Sequence, residues 1–138
     1  MTRKQQQPNS TLTKAEEQVM QAVWQLGKGF AGDIASAVGE PKPAYRTILT
    51  QIRILEQKGF VGHKEFNGNN QYYPLVSRDT YSGRMLGNLM NNYFNDSYTS
   101  LVSFFLSRGD VSSEELDTLS RIIEEKRRAQ NERKEDQQ

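Results

Sequence analysis

The chain has 138 residues, 35% hydrophobic and 25% charged, with a formal net charge of +1, which gives room for one domain plus an accessory or for two small packed units. It has no cysteine and a single histidine, His63, so a disulfide framework, a cysteine-rich zinc site and a histidine metal cluster are all excluded. No segment approaches the apolar run of a membrane span, and MTRKQQQPNS lacks the apolar core of a signal peptide; cytoplasmic residence is the expectation.

Residues 1–11 read as a polar, flexible arm. Thr13 stands three positions before Glu16, a capping-box spacing, with Leu12 just ahead of the cap. Val19, Met20, Val23, Trp24 and Leu26 then share one helical face, and Gly27 and Gly29 stop that helix. Trp24 lies on the apolar face and reads as core. A short second helix fits Gly32 to Val38 and ends at Gly39-Glu40-Pro41. Pro43 suits the first turn of a third helix, where a missing N–H costs nothing. That helix runs to about Gln57 and turns Ile48, Ile52 and Leu55 inward. Arg46, Thr50, Arg53 and Gln57 form a separate polar stripe.

Helix, short helix and longer helix with a polar outer face is the helix-turn-helix plan. The residues that follow strengthen it. Gly59 closes the third helix, Phe60-Val61 begins a strand, Asn67-Gly68-Asn69-Asn70 signals a turn, and residues 71–76 return as a second strand. Such a hairpin is marginal alone and needs a body to pack on. The expected domain therefore spans 12–77: a winged helix-turn-helix, mainly α with a small β-hairpin wing.

After Ser77 the texture changes. A helix over residues 78–95 carries Met85, Leu86, Leu89, Met90, Tyr93 and Phe94, more apolar surface than one short helix needs. Asp96-Ser97 breaks and caps the chain before the cluster Leu101, Val102, Phe104, Phe105 and Leu106. Ser112 and Glu115 suggest another capping box, with Val111 and Leu116 as its hydrophobic staple. Leu116, Leu119, Ile122 and Ile123 line the last helix. Residues 78–126 are expected to be a helical dimerisation domain, with Met85, Leu89, Tyr93, Leu101, Val102, Phe105, Leu119, Ile122 and Ile123 in its interface. Residues 127–138 are expected to be a disordered polar tail.

Charge follows the same division. Between Lys42 and Lys64 five Lys/Arg stand against one Glu; between Asp96 and Glu125 two Arg stand against seven Asp/Glu. A basic half beside an acidic half is what a DNA module joined to an assembly module shows. Arginine can offer two donors to guanine O6 and N7, which makes Arg46 and Arg53 the candidate base readers. Tyr45, Thr47, Thr50 and Gln51 are smaller readers or phosphate contacts. Lys64 on the first wing strand is a candidate phosphate contact, and Asn69 lies at the wing tip. Tyr45 has an alternative role as a half-buried aromatic closing the turn between helices. Two such heads on a twofold dimer would address the two half-sites of an inverted repeat.

No catalytic constellation is visible: Asp33, Glu40 and Glu65 are scattered, and His63 has no evident carboxylate or metal partner. No cofactor motif is present. The rival readings are a winged-helix activator and a protein-binding scaffold without repressor activity; the basic stripe at Arg46 and Arg53 argues against the scaffold.

Three runs carry a family resemblance: LTKAEEQVMQAVWQLG at 12–27, RTILTQIRILEQKGFVGHKE at 46–65 and NQYYPLVS at 70–77. Together they resemble the BlaI/MecI/CopY, or penicillinase repressor, family of bacterial transcriptional repressors. The resemblance implies a homodimeric winged-helix repressor that binds inverted-repeat operators and dimerises through C-terminal helices. In the antibiotic-responsive branch it also implies a membrane-bound sensor zinc peptidase whose signal leads to cleavage between an Asn and a Phe of S-L-V-L-N-F. The matching stretch here is Ser100-Leu101-Val102-Ser103-Phe104-Phe105, with Phe104 where Asn is expected, so the candidate cleavage region is Phe104-Phe105. Leu49 stands where the family often has a basic residue, which shifts base reading toward Arg46 and Arg53. The copper-responsive branch senses metal through C-terminal cysteines, which this chain lacks.

Overall fold

The structure, a computed structural model, describes residues 11–136; apart from Thr11, the expected flexible arm lies outside the described residues. The elements in order are α1 (Lys14–Leu26), β1 (Gly29–Phe30), α2 (Ala31–Ala37), α3 (Tyr45–Gln57), β2 (Val61–Phe66), β3 (Asn69–Pro74), α4 (Arg78–Tyr93), α5 (Tyr98–Arg108) and α6 (Ser113–Asp136). The chain divides into two compact units between Leu86 and Gly87.

In the first unit, three helices and a small sheet enclose one core. Val19, Met20 and Val23 of α1 meet Ile34 of α2, Ile48, Ile52 and Leu55 of α3, and Phe60 beneath the wing. Their spacing of three and four residues is what one apolar helical stripe requires. The strands run antiparallel in the order β1-β3-β2. The sequence reading missed β1, because two residues are too few to show alternation. It is a strand because Gly29 and Phe30 pair with Tyr72 and Gln71 on the free edge of β3.

Pro43 does not enter the first turn of α3 as expected. Ala44 is still extended (φ −62°, ψ 151°) and α3 starts at Tyr45. A proline disfavours helical geometry in the residue before it, so Lys42 continues the extended approach.

The capping box on α1 forms in both directions, with the Thr13 amide donating to Glu16 Oε1 at 3.0 Å and the Glu16 amide donating to Thr13 Oγ1 at 3.1 Å. Glu16 is buried, and Lys58 Nζ beyond the end of α3 reaches the same carboxylate oxygen at 2.6 Å. Burial pushes the Glu16 carboxyl up, but the Lys58 ammonium and the Thr13 hydrogen bonds outweigh it, and the group lies below its ordinary value. A carboxylate depressed in the folded state stabilises fully above its unfolded pKa, and that contribution is lost as pH falls through the lower folded value. Lys58→Met is expected to cost about 2 kcal/mol, the stranded-charge penalty moderated by the partial exposure of Lys58. Thermal melts should show a deficit at neutral pH that narrows in acid; a deficit independent of pH would contradict this account.

The first turns of α4 belong to the first unit, not to a separate domain beginning at residue 78. Tyr81 is buried; its hydroxyl accepts the Leu12 amide at 2.9 Å, and its ring lies 5.9 Å from Trp24 and 5.6 Å from Phe60. Trp24 in turn donates its indole N–H to the Val76 carbonyl at 2.8 Å. Trp24 is therefore structural, as its face in α1 suggested. A change of secondary structure at Ser77 looked like a domain boundary, but buried packing carries the unit further along the chain.

In the second unit, Asn95 and Asp96 adopt positive φ (50° and 59°) and turn the chain from α4 into α5, whose cap Ser97 accepts the Ser100 amide at 3.1 Å. Phe94 and Phe104 meet edge to face at 5.5 Å. Neither α5 nor α6 has a buried residue. The expected disordered tail is instead helical as far as Asp136. Residues 127–136 contain no glycine or proline and are mostly strong helix formers. Arg127 pairs with Glu124 at 3.3 Å, and α6 has acids in its first turn and Arg133 and Lys134 in its last, matching the helix dipole. The polar composition that suggested disorder is compatible with a solvated helix.

Candidate nucleic-acid interface

Ser or Thr side chains cap the first turns of α1, α4, α5 and α6. α3 differs: its N-cap is Ala44, without a side-chain cap, and its first turn holds no acid. The first backbone N–H groups of α3 therefore keep their hydrogen-bonding capacity at the positive end of the helix dipole. That is an arrangement ready for phosphate.

Tyr45, Arg46, Thr47, Thr50 and Arg53 are all exposed on α3, away from the Ile48, Ile52 and Leu55 stripe. Arg46 and Arg53 are one heptad apart, about 10 Å along the axis. Among the described residues neither arginine forms a salt bridge, whereas Lys58, on the same basic stretch, is committed to Glu16. Thr50 is exposed and donates its hydroxyl to the Arg46 carbonyl at 3.1 Å, which leaves the oxygen lone pairs as acceptors. Gln51 is half-buried, and its side-chain carbonyl oxygen is enclosed without a partner. It is the one α3 candidate that does not stand on the exposed face.

The wing is a two-residue hairpin. Asn67 and Gly68 both have positive φ (52° and 81°), the signature of a type I′ turn whose twist matches the flanking strands. Asn69 is therefore not at the tip but the first residue of β3, paired with Phe66. His63 lies opposite Tyr72 and forms a short hydrogen bond with the Glu56 carboxylate of α3. The sequence reading found no carboxylate for His63; Glu56 supplies one because the α3–β2 turn brings residues seven apart together. His63 thus ties the wing to the helix.

Successive strand residues face opposite sides, so Lys64 shares its face with Phe66 and with the cross-strand neighbours Gln71 and Tyr73. Phe66 and Tyr73 are both exposed, and the Tyr73 ring lies over Gly62, where an added Cβ would meet it at 3.1 Å. The sequence reading named neither aromatic; their alternation with Lys64 was the signal available.

The apolar set in the C-terminal helices is also largely on the surface. Leu89, Tyr93, Val102, Phe104, Ile122 and Ile123 are exposed, while Leu101, Phe105 and Leu119 are half-buried. Met85 is exposed in the part of α4 that belongs to the first unit. Two grooves gather many of the others: Leu89, Tyr93, Phe94 and Phe104 line one, and Val102, Phe105, Leu106, Leu116, Leu119 and Ile123 line the other.

A three-helix body with an exposed basic α3 and an antiparallel wing defines a winged helix-turn-helix, the DNA-binding unit of a transcriptional regulator. Residues 12–125 match the penicillinase repressor family, and the chain belongs to that family. Family and fold together make it a DNA-binding transcriptional regulator. Among curated relatives it is 30% identical over 116 residues to the methicillin resistance regulatory protein MecI of Staphylococcus aureus strain N315, covering 83% of this chain and 94% of that one. To the penicillinase repressor of Bacillus licheniformis it is 24% identical over 115 residues, covering 83% and 90%. Among the described residues no helix is long and apolar enough to cross a membrane.

Proposed function

We propose that this repressor binds an inverted-repeat operator as a homodimer, with Arg46 and Arg53 reading bases and Lys64 holding the backbone. The observation that carries this reading is the uncapped, acid-free first turn of α3, exposed beside two arginines without salt-bridge partners among the described residues. A recognition helix inserts its N-terminal end into the major groove, so Tyr45, Arg46 and Thr47 enter first. Thr50 accepts from a base amino group, and Gln51 supports the helix more than it reads. On the wing, Phe66, Tyr73 and Asn69 share the outer surface with Lys64 and pack along the sugar-phosphate backbone.

Lys64→Ala should weaken operator and scrambled duplexes alike. The slope of log affinity against log salt should fall by about one per head. Titration of both duplexes across a salt series checks this; a loss confined to the operator would make Lys64 a base reader instead.

Homodimerisation is supported by the apolar side chains exposed on α5 and α6, since helices with such surfaces are stable when a partner covers them. Footprinting on the chain's own upstream region, with transcription measured with and without protein, tests the whole reading. Release through a membrane-bound sensor peptidase is the finer part of it. The candidate Phe104-Phe105 bond lies inside α5, so cleavage would require that helix to open locally. Recovery of an intact repressor from induced cells would remove this part and leave operator binding standing.

A further inference from the structure

The last turns of α6 have a neutral composition and a polar arrangement of charge. Residues 124–136 hold five acids and five Lys/Arg, so the segment has no formal net charge. Around the helix axis, however, the two signs are sorted. At about 100° per residue, Lys126, Arg127, Arg133 and Lys134 fall within an arc of about 120°, with Gln130 among them and no acid. Glu124, Glu125, Glu132, Glu135 and Asp136 fall within a second arc of about 120° on the opposite side, which also holds Arg128. Every one of these residues is exposed.

The helix does not neutralise its basic arc. Side chains three and four positions apart are neighbours on a helix, and neither Lys126 nor Lys134 has an acid at any of those positions. Arg133 has only Asp136. Among the described residues Lys126, Arg133 and Lys134 form no salt bridge; of the four cations only Arg127 is paired, with Glu124. The helix dipole favours cations in the final turn. Glu132, Glu135 and Asp136 stand in the same turns, so the dipole does not account for the sorting of signs around the axis. The family match ends at Glu125, which leaves these cations beyond what membership of the family accounts for.

We infer that the basic arc of α6 is a second, sequence-independent contact with the phosphate backbone of duplex DNA, separate from α3 and the wing. Complementarity identifies the partner. Duplex DNA carries one negative charge per about 1.7 Å of its axis, and family and fold bring this chain to a duplex. Lys126 and Lys134 stand about 12 Å apart along the helix, the reach of roughly three phosphates on one strand at about 3.4 Å each. The acidic arc does not cancel this attraction. A helix with its side chains is about 10–12 Å across, more than the Debye length of about 8 Å at physiological ionic strength. Cations on the near face therefore outweigh screened acids on the far face, and the sorting allows only one face to approach a polyanion. The contact goes beyond the operator reading above and needs neither its base readers nor its homodimer.

The test is fluorescence anisotropy of the full chain on an operator duplex and on a scrambled duplex of the same length, across a salt series from about 0.1 M upward. Wild type is compared with a neutral variant, Lys126→Gln, Arg133→Gln and Lys134→Gln combined, and with a charge-preserving one, Lys126→Arg, Arg133→Lys and Lys134→Arg combined. The positions are exposed and the new residues are good helix formers; circular dichroism and sedimentation confirm that fold and association state are unchanged. In the neutral variant the slope of log affinity against log salt should fall by roughly 2–3 per chain, and both duplexes should bind about tenfold more weakly, with operator preference intact. The charge-preserving variant should keep the wild-type slope. Wild-type slope and affinity in the neutral variant overturn the contact, as does a loss confined to the operator or one shared by the charge-preserving variant. Binding to phosphatidylglycerol vesicles that only the neutral variant loses, with DNA binding untouched, assigns the arc to a membrane surface and overturns it too. The scrambled duplex reports the arc by itself, so failure of the operator reading and failure of this inference are read separately.

Discussion

Ile122→Asp is expected to abolish tight operator binding without altering a single residue of the winged helix. Ile122 is 53% exposed within its own chain, so a charge there loses little internal packing and should leave the melting temperature of the folded monomer close to the usual surface tolerance. In the homodimer proposed above the same position lies against a partner, where an unpaired carboxylate must be desolvated. The consequence for DNA is much larger than the local change. Each head holds its partner near the second half-site, and loss of that linkage lowers apparent affinity by roughly 10²- to 10⁴-fold. Gel-shift titration on a full inverted repeat and on an isolated half-site separates the effects: the full-site advantage should vanish while half-site affinity stays. An Ile122→Asp chain that still prefers the full site would remove α6 from the interface.

Arg46→Ala should act on sequence choice. A bidentate arginine–guanine contact contributes about 1–3 kcal/mol of discrimination, and a twofold dimer makes the contact twice. Operator over scrambled duplex should therefore lose roughly 2–6 kcal/mol of preference, while binding to scrambled DNA declines only by the lost charge. Arg53 lies two turns further from the N-terminus of α3, so Arg53→Ala should relax a different base position in each half-site. Competition assays on single-base operator variants report this directly. Equal loss on every duplex would recast Arg46 as a phosphate contact, like Lys64.

Much of the first unit was legible because its sequence repeats simple periods. Ile48, Ile52 and Leu55 announce a helix face, Thr13 and Glu16 announce its neighbour's start, and Asn67-Gly68 announces the wing turn. Where reading failed, a long-range contact decided. β1 exists because β3 offers an edge, and Tyr81 belongs to the first core because Leu12, Trp24 and Phe60 surround it. The end of α6 misled for a different reason: its high charge suggested disorder, while the Arg, Lys, Glu, Ala and Gln that make it up are strong helix formers.

By itself, then, the sequence determined the order of the helices and the wing hairpin, the family and the exposed basic stripe of Arg46 and Arg53, because each depends on local spacing or on a run of adjacent residues. Only the tertiary structure decided which polar groups were already committed. Lys58 belongs to Glu16, His63 to Glu56, and Gln51 turns partly inward, while the first turn of α3 remains uncapped. Partnership between residues distant in sequence is settled by packing, and a basic residue can serve DNA only when the fold has not already given it an acid.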